Sequence, residues 1–148
     1  MKKVLLFVLI HQMAMSQLKE IVKTDKAPVP IAAYNQAIKS NGMLYVAGQV
    51  GANPADRKLV EGGIEPETVR ALENVKAIVE AAGSSLDLVV NVTLYLKDIA
   101  HFAKVNEIYS RYFTQNFPAR TTIAVANLPS GASIEITVIA ALPKRQPK

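Results

Sequence analysis

One segment of this sequence strongly predicts a helix that is buried along one side. Pro66 suits the first turn of a helix, and Glu65 and Glu67 complement the positive end of the helix dipole. Gly83 can close the helix in a left-handed conformation. Apolar residues recur between these ends at helical spacing, and the predicted buried face comprises Val69, Leu72, Val75, Ile78, Val79 and Ala82. Such a face requires a second layer of structure to cover it.

The residues before this helix predict a β-hairpin. Asn41-Gly42 separates the apolar runs Gln36–Ser40 and Met43–Val50, and both turn residues tolerate the positive φ angles of a type I′ turn. Ala27–Ala33 contains two prolines and is predicted to be an extended loop. The hairpin and the helix therefore indicate a fold that contains both strands and helices.

A second helix and further strands complete the predicted architecture. Asp98 is the predicted N-cap of a helix with the apolar stripe Phe102, Val105, Ile108, Tyr109 and Tyr112. Strands are predicted at Leu18–Val22, Leu88–Leu96, Thr121–Val125 and Ser133–Leu142, with a turn at Pro129-Ser130-Gly131. The order β-β-β-α-β-α-β-β indicates an α+β fold, in which two helices cover one face of a mixed sheet. The other face is left substantially apolar, which predicts self-association.

Length and composition exclude several kinds of site. The 148 residues suit one domain, which we assign to residues 17–143, between an N-terminal extension (1–16) and a basic tail (144–148). The chain has no cysteine, and its two histidines, His11 and His101, are too few for a multi-histidine metal site. Motifs typical of phosphate-binding loops, dinucleotide folds, nucleophile elbows and zinc proteases are missing. The sequence therefore predicts neither a metal nor a cofactor.

The N-terminus is open to two interpretations. Lys2-Lys3 followed by Val4–Ile10 resembles the start of a secretory signal peptide, but the apolar run has only seven residues and no clear cleavage site follows. Met13 and Met15 precede a natural start for the domain, which favours an upstream extension or an alternative start. We therefore expect a cytoplasmic protein, with an organellar or secreted location as the alternative, and we find no segment long enough to span a bilayer.

The net charge of +5 resides in the terminal segments. Five of the 17 basic residues are Lys2, Lys3, Lys144, Arg145 and Lys148, and 17 − 5 leaves 12 basic residues against 12 acidic ones. A neutral body does not favour nucleic-acid binding, although RNA stays an alternative partner.

Two charged residues lie inside predicted strands and need an explanation. Arg120 opens one apolar strand, and Glu135 lies between two isoleucines of another. Either the two form a structural ion pair, or they form a site for a small anionic substrate. In such a site, Arg120 would bind a carboxylate and Glu135 would orient a water molecule. From its position alone, we expect Tyr34 to be a packing aromatic side chain. From its position alone, we expect Asn106 to be a solvated surface amide.

Four motifs that extend over most of the domain resemble the RidA/YjgF family, also labelled the endoribonuclease L-PSP family. They occur in family order and are Ala47-Gly48-Gln49-Val50, Glu73-Asn74-Val75-Lys76-Ala77-Ile78-Val79-Glu80-Ala81-Ala82-Gly83, Phe117-Pro118-Ala119-Arg120 and Ser133-Ile134-Glu135-Ile136. The resemblance implies a chorismate-mutase-like fold assembled as a homotrimer, with sites in the clefts between subunits. It also implies hydrolytic deamination of 2-imino acids to 2-keto acids without metal or cofactor.

The resemblance assigns roles to individual residues. It implies that Arg120 binds the substrate carboxylate and that Glu135 positions or activates the water. The other residues that it places in or near the substrate pocket are Tyr34, Ala47, Gly48, Asn106, Thr122 and Pro129. Family members usually carry serine where this chain has Ala47, and often cysteine where it has Thr122. The alternatives to a deaminase are an RNA-cleaving inhibitor of translation and a non-catalytic trimer that binds small carboxylates.

Overall fold

The computed structural model describes residues 19–143. The six strands of this part of the chain are β1 (Glu20–Val22), β2 (Ala37–Ser40), β3 (Met43–Val50), β4 (Val89–Leu96), β5 (Ala119–Ala124) and β6 (Ile134–Ala141). The two α-helices are α1 (Ile64–Ala81) and α2 (Phe102–Tyr112), and short 3₁₀ turns occupy Leu86–Leu88, Ile99–His101 and Pro129–Gly131. The predicted α+β order is confirmed. The assignments of residues 1–16 and 144–148 lie outside the described residues.

The strands form one mixed sheet in the order β1-β2-β3-β6-β4-β5. Only β4 and β5 run parallel, and the other neighbours are antiparallel. Alternation along β6 defines the two faces, because Ile134, Ile136, Val138 and Ala140 are buried while the residues between them are half-buried. We call the side that α1 and α2 cover the helix face and the other side the open face. On the open face Tyr45 remains 46% exposed opposite Ile139, so apolar surface is uncovered as the sequence predicts.

Helix α1 begins at Ile64, which puts Glu65, Pro66 and Glu67 in its first turn, and it ends before Gly83, both as the sequence predicts. Gly83 follows its last turn with φ +78°, the left-handed conformation that glycine adopts readily. Leu72, Val75 and Ile78 of this helix are buried. Val69 is 38% exposed, so its assignment to the buried face was wrong. Thr68 occupies the buried position instead and donates its hydroxyl to the carbonyl of Ile64.

Two buried polar side chains of α1 connect the helix to the strands that carry the candidate site. The Asn74 amide donates to the backbone oxygens of Val50 and Ala52 at 3.1 and 2.9 Å. The Glu67 carboxylate accepts hydrogen bonds from the backbone N–H and the hydroxyl of Ser133, at 2.7 and 2.9 Å. A buried amide or carboxylate that loses its hydrogen-bond partners destabilises the fold. These contacts therefore fix the end of β3 and the start of β6 relative to the helix.

Helix α2 departs from its predicted stripe at one end. Asp98 accepts a hydrogen bond from the N–H of Ala100 at 2.9 Å, which confirms the predicted cap at the 3₁₀ turn that leads into the helix. Val105, Ile108 and Tyr109 are buried. Phe102 is 42% exposed, so the predicted apolar stripe is not buried at this end. Among residues 19–143 no helix is long and apolar enough to cross a membrane.

Candidate active site

A cleft of about 450 Å³ opens on the open face of the sheet, and Glu135 lines it. Five of the residues predicted for the site surround this cleft: Tyr34, Ala47, Gly48, Pro129 and Glu135. The rest of its wall is mainly apolar, with side chains such as Val29 and Ile31. We call this space the Glu135 cleft. Its size suits a small molecule.

A bulge in β3 brings the backbone of Gly48 against Glu135. The register of β3 with β6 shifts between Val46 and Gln49, so that Val50 pairs with Glu135. Gln49 is buried and donates to the carbonyl oxygens of Ala47 and Gly48, at 3.0 and 3.1 Å. A Cβ atom at position 48 would lie only 2.7 Å from Cδ of Glu135. Glycine is therefore required here for the carboxyl group to keep its place.

Tyr34 reaches the cleft from the proline-containing loop, which a buried glutamine fixes. Gln36 is 3% exposed. Its side-chain oxygen accepts from the N–H of Thr24 at 2.7 Å, and its amide nitrogen lies 2.9 to 3.0 Å from the carbonyl oxygens of Thr24, Ala27 and Pro28. Tyr34 is 47% exposed, so the prediction of a packing aromatic from its position alone was wrong.

Arg120 lies in a second group of predicted residues. Its guanidinium donates to the Asn106 side-chain oxygen at 2.9 Å, so Asn106 is not merely a solvated amide. The same guanidinium lies 4.6 Å from the ring centre of Tyr109 and 5.7 Å from that of Phe102. These cation–π contacts and the hydrogen bond hold the arginine at one position on the edge strand β5. Thr122 follows two residues later and shares its face of the strand.

The two groups lie on opposite faces of the sheet. Arg120 pairs with Val92, and Glu135 pairs with Tyr95. Paired residues share a face, while Val92 and Tyr95 are three apart on β4 and therefore point to opposite sides. Val92 is fully buried beneath the helices, which places Arg120 on the helix face and Glu135 on the open face. The alternative of a structural Arg120–Glu135 ion pair was therefore wrong.

Burial controls the protonation of two groups in these clusters. Desolvation raises the pKa of Glu135 above the ordinary value of 4.5. Desolvation also raises the pKa of Tyr109 to about 12, although the Arg120 charge opposes the shift. The Tyr109 hydroxyl is buried and has no hydrogen-bond partner within the described part of the chain. The ring therefore stays neutral at physiological pH and presents its π face to Arg120.

Several residues that shape the site have no sequence signal that marks them. The sequence indicates only an apolar stripe for Tyr109 and a strand for Gln36. It gives no signal for Arg57, which nevertheless lines the Glu135 cleft. A lone arginine in a loop has no periodicity to reveal which cavity it faces. Across residues 19–143 no three His, Asp or Glu side chains are grouped closely enough to hold a metal ion.

Comparisons with known proteins agree with this architecture. The family model described as endoribonuclease L-PSP matches residues 24–142. A RutC family protein of Pyrococcus abyssi is 49% identical over 122 residues, which are 82% of this chain and 96% of that protein. The 2-iminobutanoate/2-iminopropanoate deaminase of Rattus norvegicus is 45% identical over 125 residues, 84% of this chain and 91% of that protein. The chain belongs to the RidA family.

The fold supports the same assignment of this RidA-family protein. The crystal structure of RidA from an Antarctic Psychrobacter species matches with a TM-score of 0.81 at 38% sequence identity. The match covers 83% of this chain and 99% of that one. The predicted chorismate-mutase-like sheet is thereby confirmed, and the names of the relatives support a RidA-type enzyme.

Proposed function

We propose that this RidA-family protein hydrolyses 2-imino acids, such as 2-iminobutanoate and 2-iminopropanoate, to 2-keto acids and ammonia. The observation that carries the proposal is the position of the Glu135 carboxyl group. It is half-buried in a mainly apolar cleft, where desolvation raises its pKa. A base whose pKa approaches the working pH is better suited to exchange protons with water. The names of the deaminases to which this chain is similar support the same reaction.

In this proposal the reaction proceeds through one tetrahedral intermediate. Glu135 takes a proton from a water molecule, whose oxygen forms a bond to the carbon of the protonated imine as the C=N π electrons move to nitrogen. The resulting carbinolamine receives a proton on nitrogen from Glu135, and its C–N bond then breaks. Ammonia leaves with the electron pair of that bond, and the hydroxyl proton passes to the Glu135 carboxylate to give the 2-keto acid. Arg120 binds the substrate carboxylate with two parallel hydrogen bonds and so fixes the imine carbon relative to Glu135.

The substrate site in this proposal is built by two subunits of a homotrimer. Arg120 lies on the helix face at the edge strand β5, while Glu135 of the same chain lies on the open face. One copy of the chain therefore does not direct both groups into one cleft. Packing the β5 edge of one subunit against the open face of the next would bring a guanidinium to each Glu135 cleft and cover exposed apolar side chains such as Tyr45.

A competition assay tests the proposed reaction. A threonine dehydratase releases 2-iminobutanoate while semicarbazide traps the imine as an absorbing semicarbazone. We expect the wild-type protein to suppress semicarbazone formation in proportion to its concentration. Calorimetric binding of 2-oxobutanoate without any suppression would instead support the non-catalytic carboxylate-binding alternative.

The structure also predicts the effect of a single methyl group next to Glu135. In Gly48→Ala the new Cβ would lie 3.0 Å from Cγ of Glu135 and still closer to its carboxyl group, which must therefore move. We expect kcat/KM for 2-iminobutanoate to fall at least about tenfold, because displacement of a catalytic group by a fraction of an ångström removes its alignment. Ala47→Ser adds one atom to the adjacent residue of the bulge and serves as the matched variant, with no comparable loss. Full activity of Gly48→Ala would contradict the role given to Glu135.

RNA cleavage, the activity in the description of the family model, is the less supported alternative. The 12 basic residues outside the terminal segments are balanced by 12 acidic ones. The Glu135 cleft is small and mainly apolar, whereas proteins that bind RNA strands offer a positive groove with stacking aromatics.

A further inference from the structure

Arg57 is a second cation available to a ligand in the Glu135 cleft. It lines the cleft together with Tyr34, Gly48 and Glu135, and it comes from the same chain as Glu135. Among the described residues that line this space, Arg57 and Glu135 are the two that carry charge. A cation beside an otherwise apolar wall is a recognition element for an anion.

The backbone at Arg57 is held in a conformation that arginine seldom adopts. Its φ angle is +61°, in the left-handed region, which disfavours residues that carry a Cβ atom. The surrounding loop is well fixed, since the N–H of Arg57 donates to the Asn53 carbonyl and the N–H of Asn53 donates to the Lys58 carbonyl, both at 2.8 Å. Ala52 and Leu59 form a β-bridge at the base of the loop. The side chain is thus presented from a rigid support.

No contact within residues 19–143 explains why an arginine occupies position 57. The guanidinium is exposed, and the described residues offer it neither an ion pair nor a side-chain hydrogen bond. Arg57 and Glu135 also form no ion pair with each other, so each is open to a different part of a ligand. Strained backbone conformations that the surrounding structure holds in place cluster at functional positions.

We propose that Arg57 is a specificity-determining residue that selects 2-imino acids with a second anionic group at the end of the side chain. The inference rests on the proposed function and names its substrate class. The α-carboxylate is bound by Arg120 of the neighbouring subunit, and the imine carbon faces Glu135. The distal carboxylate of a substrate derived from an acidic amino acid then binds Arg57 at the other end of the cleft.

Two pairs of probes of equal length test this assignment. The imines of glutamate and norvaline are generated in the assay mixture by an amino-acid oxidase. The first ends in a carboxylate and the second in a methyl group. The stable keto acids 2-oxoglutarate and 2-oxopentanoate form a matching pair for calorimetric binding, which does not depend on turnover. We expect wild-type protein to favour the dicarboxylate of each pair about tenfold, the factor that one charge-assisted contact supplies.

Arg57→Gln should abolish this preference. The dicarboxylate-to-monocarboxylate ratio should then fall about tenfold both for imine hydrolysis and for keto-acid binding. Lys58→Gln is the matched control, because Lys58 is the adjacent cation of the same loop but does not line the cleft. Ratios that Arg57→Gln leaves unchanged, or that Lys58→Gln lowers as much, would overturn the proposal. An equal loss for both members of a pair would also overturn it, because Arg57 would then bind the α-carboxylate. If neither imine is hydrolysed, the proposed function fails, while the binding ratios still decide the role of Arg57.

Discussion

Arg120→Ala is expected to lower kcat/KM for 2-iminobutanoate at least about a hundredfold. In the proposed site, the substitution removes two charge-assisted hydrogen bonds to the substrate carboxylate, each worth about 1.5–3 kcal/mol. The fold should persist, because Arg120 is a partly exposed residue of an edge strand whose contacts are one hydrogen bond to Asn106 and cation–π contacts with Phe102 and Tyr109. The measurement is the rate of semicarbazone suppression at several enzyme concentrations, together with a thermal melting curve.

Two further arginine variants make this result specific. Arg111→Ala removes an exposed arginine of α2 that pairs with Glu107 at 2.7 Å, and it should keep nearly full activity. Arg120→Lys retains the charge but loses the planar guanidinium that matches a carboxylate and stacks on Tyr109. Its kcat/KM should therefore lie between those of the wild type and Arg120→Ala. An Arg120→Ala protein with near-normal kcat/KM would contradict the assignment of the carboxylate site.

Glu135→Gln is expected to lower kcat by about a hundredfold to a thousandfold and to remove the acid limb of the pH profile. In the proposed mechanism the carboxylate form of Glu135 is the base, so we expect wild-type activity to be lost as the pH falls through the pKa of that group. Desolvation raises this pKa above 4.5, so the loss should begin at a higher pH than for an ordinary glutamate. The measurement is the ratio of the wild-type to the variant rate at each pH, because the ratio cancels the pH dependence of the imine itself.

An exposed carboxylate provides the control for this profile. Glu61→Gln changes an exposed residue that does not line the cleft, so its profile should overlay that of the wild type. If Glu135→Gln keeps both the wild-type rate and the acid limb, the titrating base is another group and the proposed mechanism is wrong.

The elements of this fold are predictable because their signals are local. Asn41 and Gly42 have φ angles of +50° and +76°, as the type I′ turn predicted from Asn-Gly requires. Gly83 and Asp98 mark the helix end and the capped turn where the structure has them. Such signals depend on neighbours along the chain, which the sequence shows directly.

The geometry of the candidate site could not be predicted in the same way, because it depends on strand register and on non-local contacts. The bulge between Val46 and Gln49 determines which backbone atoms contact Glu135, yet no single residue in the sequence predicts the bulge. The parallel pairing of β4 with β5 decides the face on which Arg120 lies, and that pairing excludes the ion pair left open by the sequence. The resemblance could name Gly48, but only the structure shows that a Cβ there would displace a carboxyl group.

A subunit-mixing experiment tests the central claim that Arg120 of one subunit acts with Glu135 of another. Arg120→Ala and Glu135→Gln proteins, each nearly inactive alone, are unfolded together in equal amounts and refolded. In a randomly mixed ring, about one interface in four joins an intact Arg120 to an intact Glu135. We therefore predict recovery of about a quarter of wild-type activity, against a control in which each variant is refolded alone. Activity that stays at the level of the separate variants, although mass spectrometry shows mixed assemblies, would contradict a site shared between subunits.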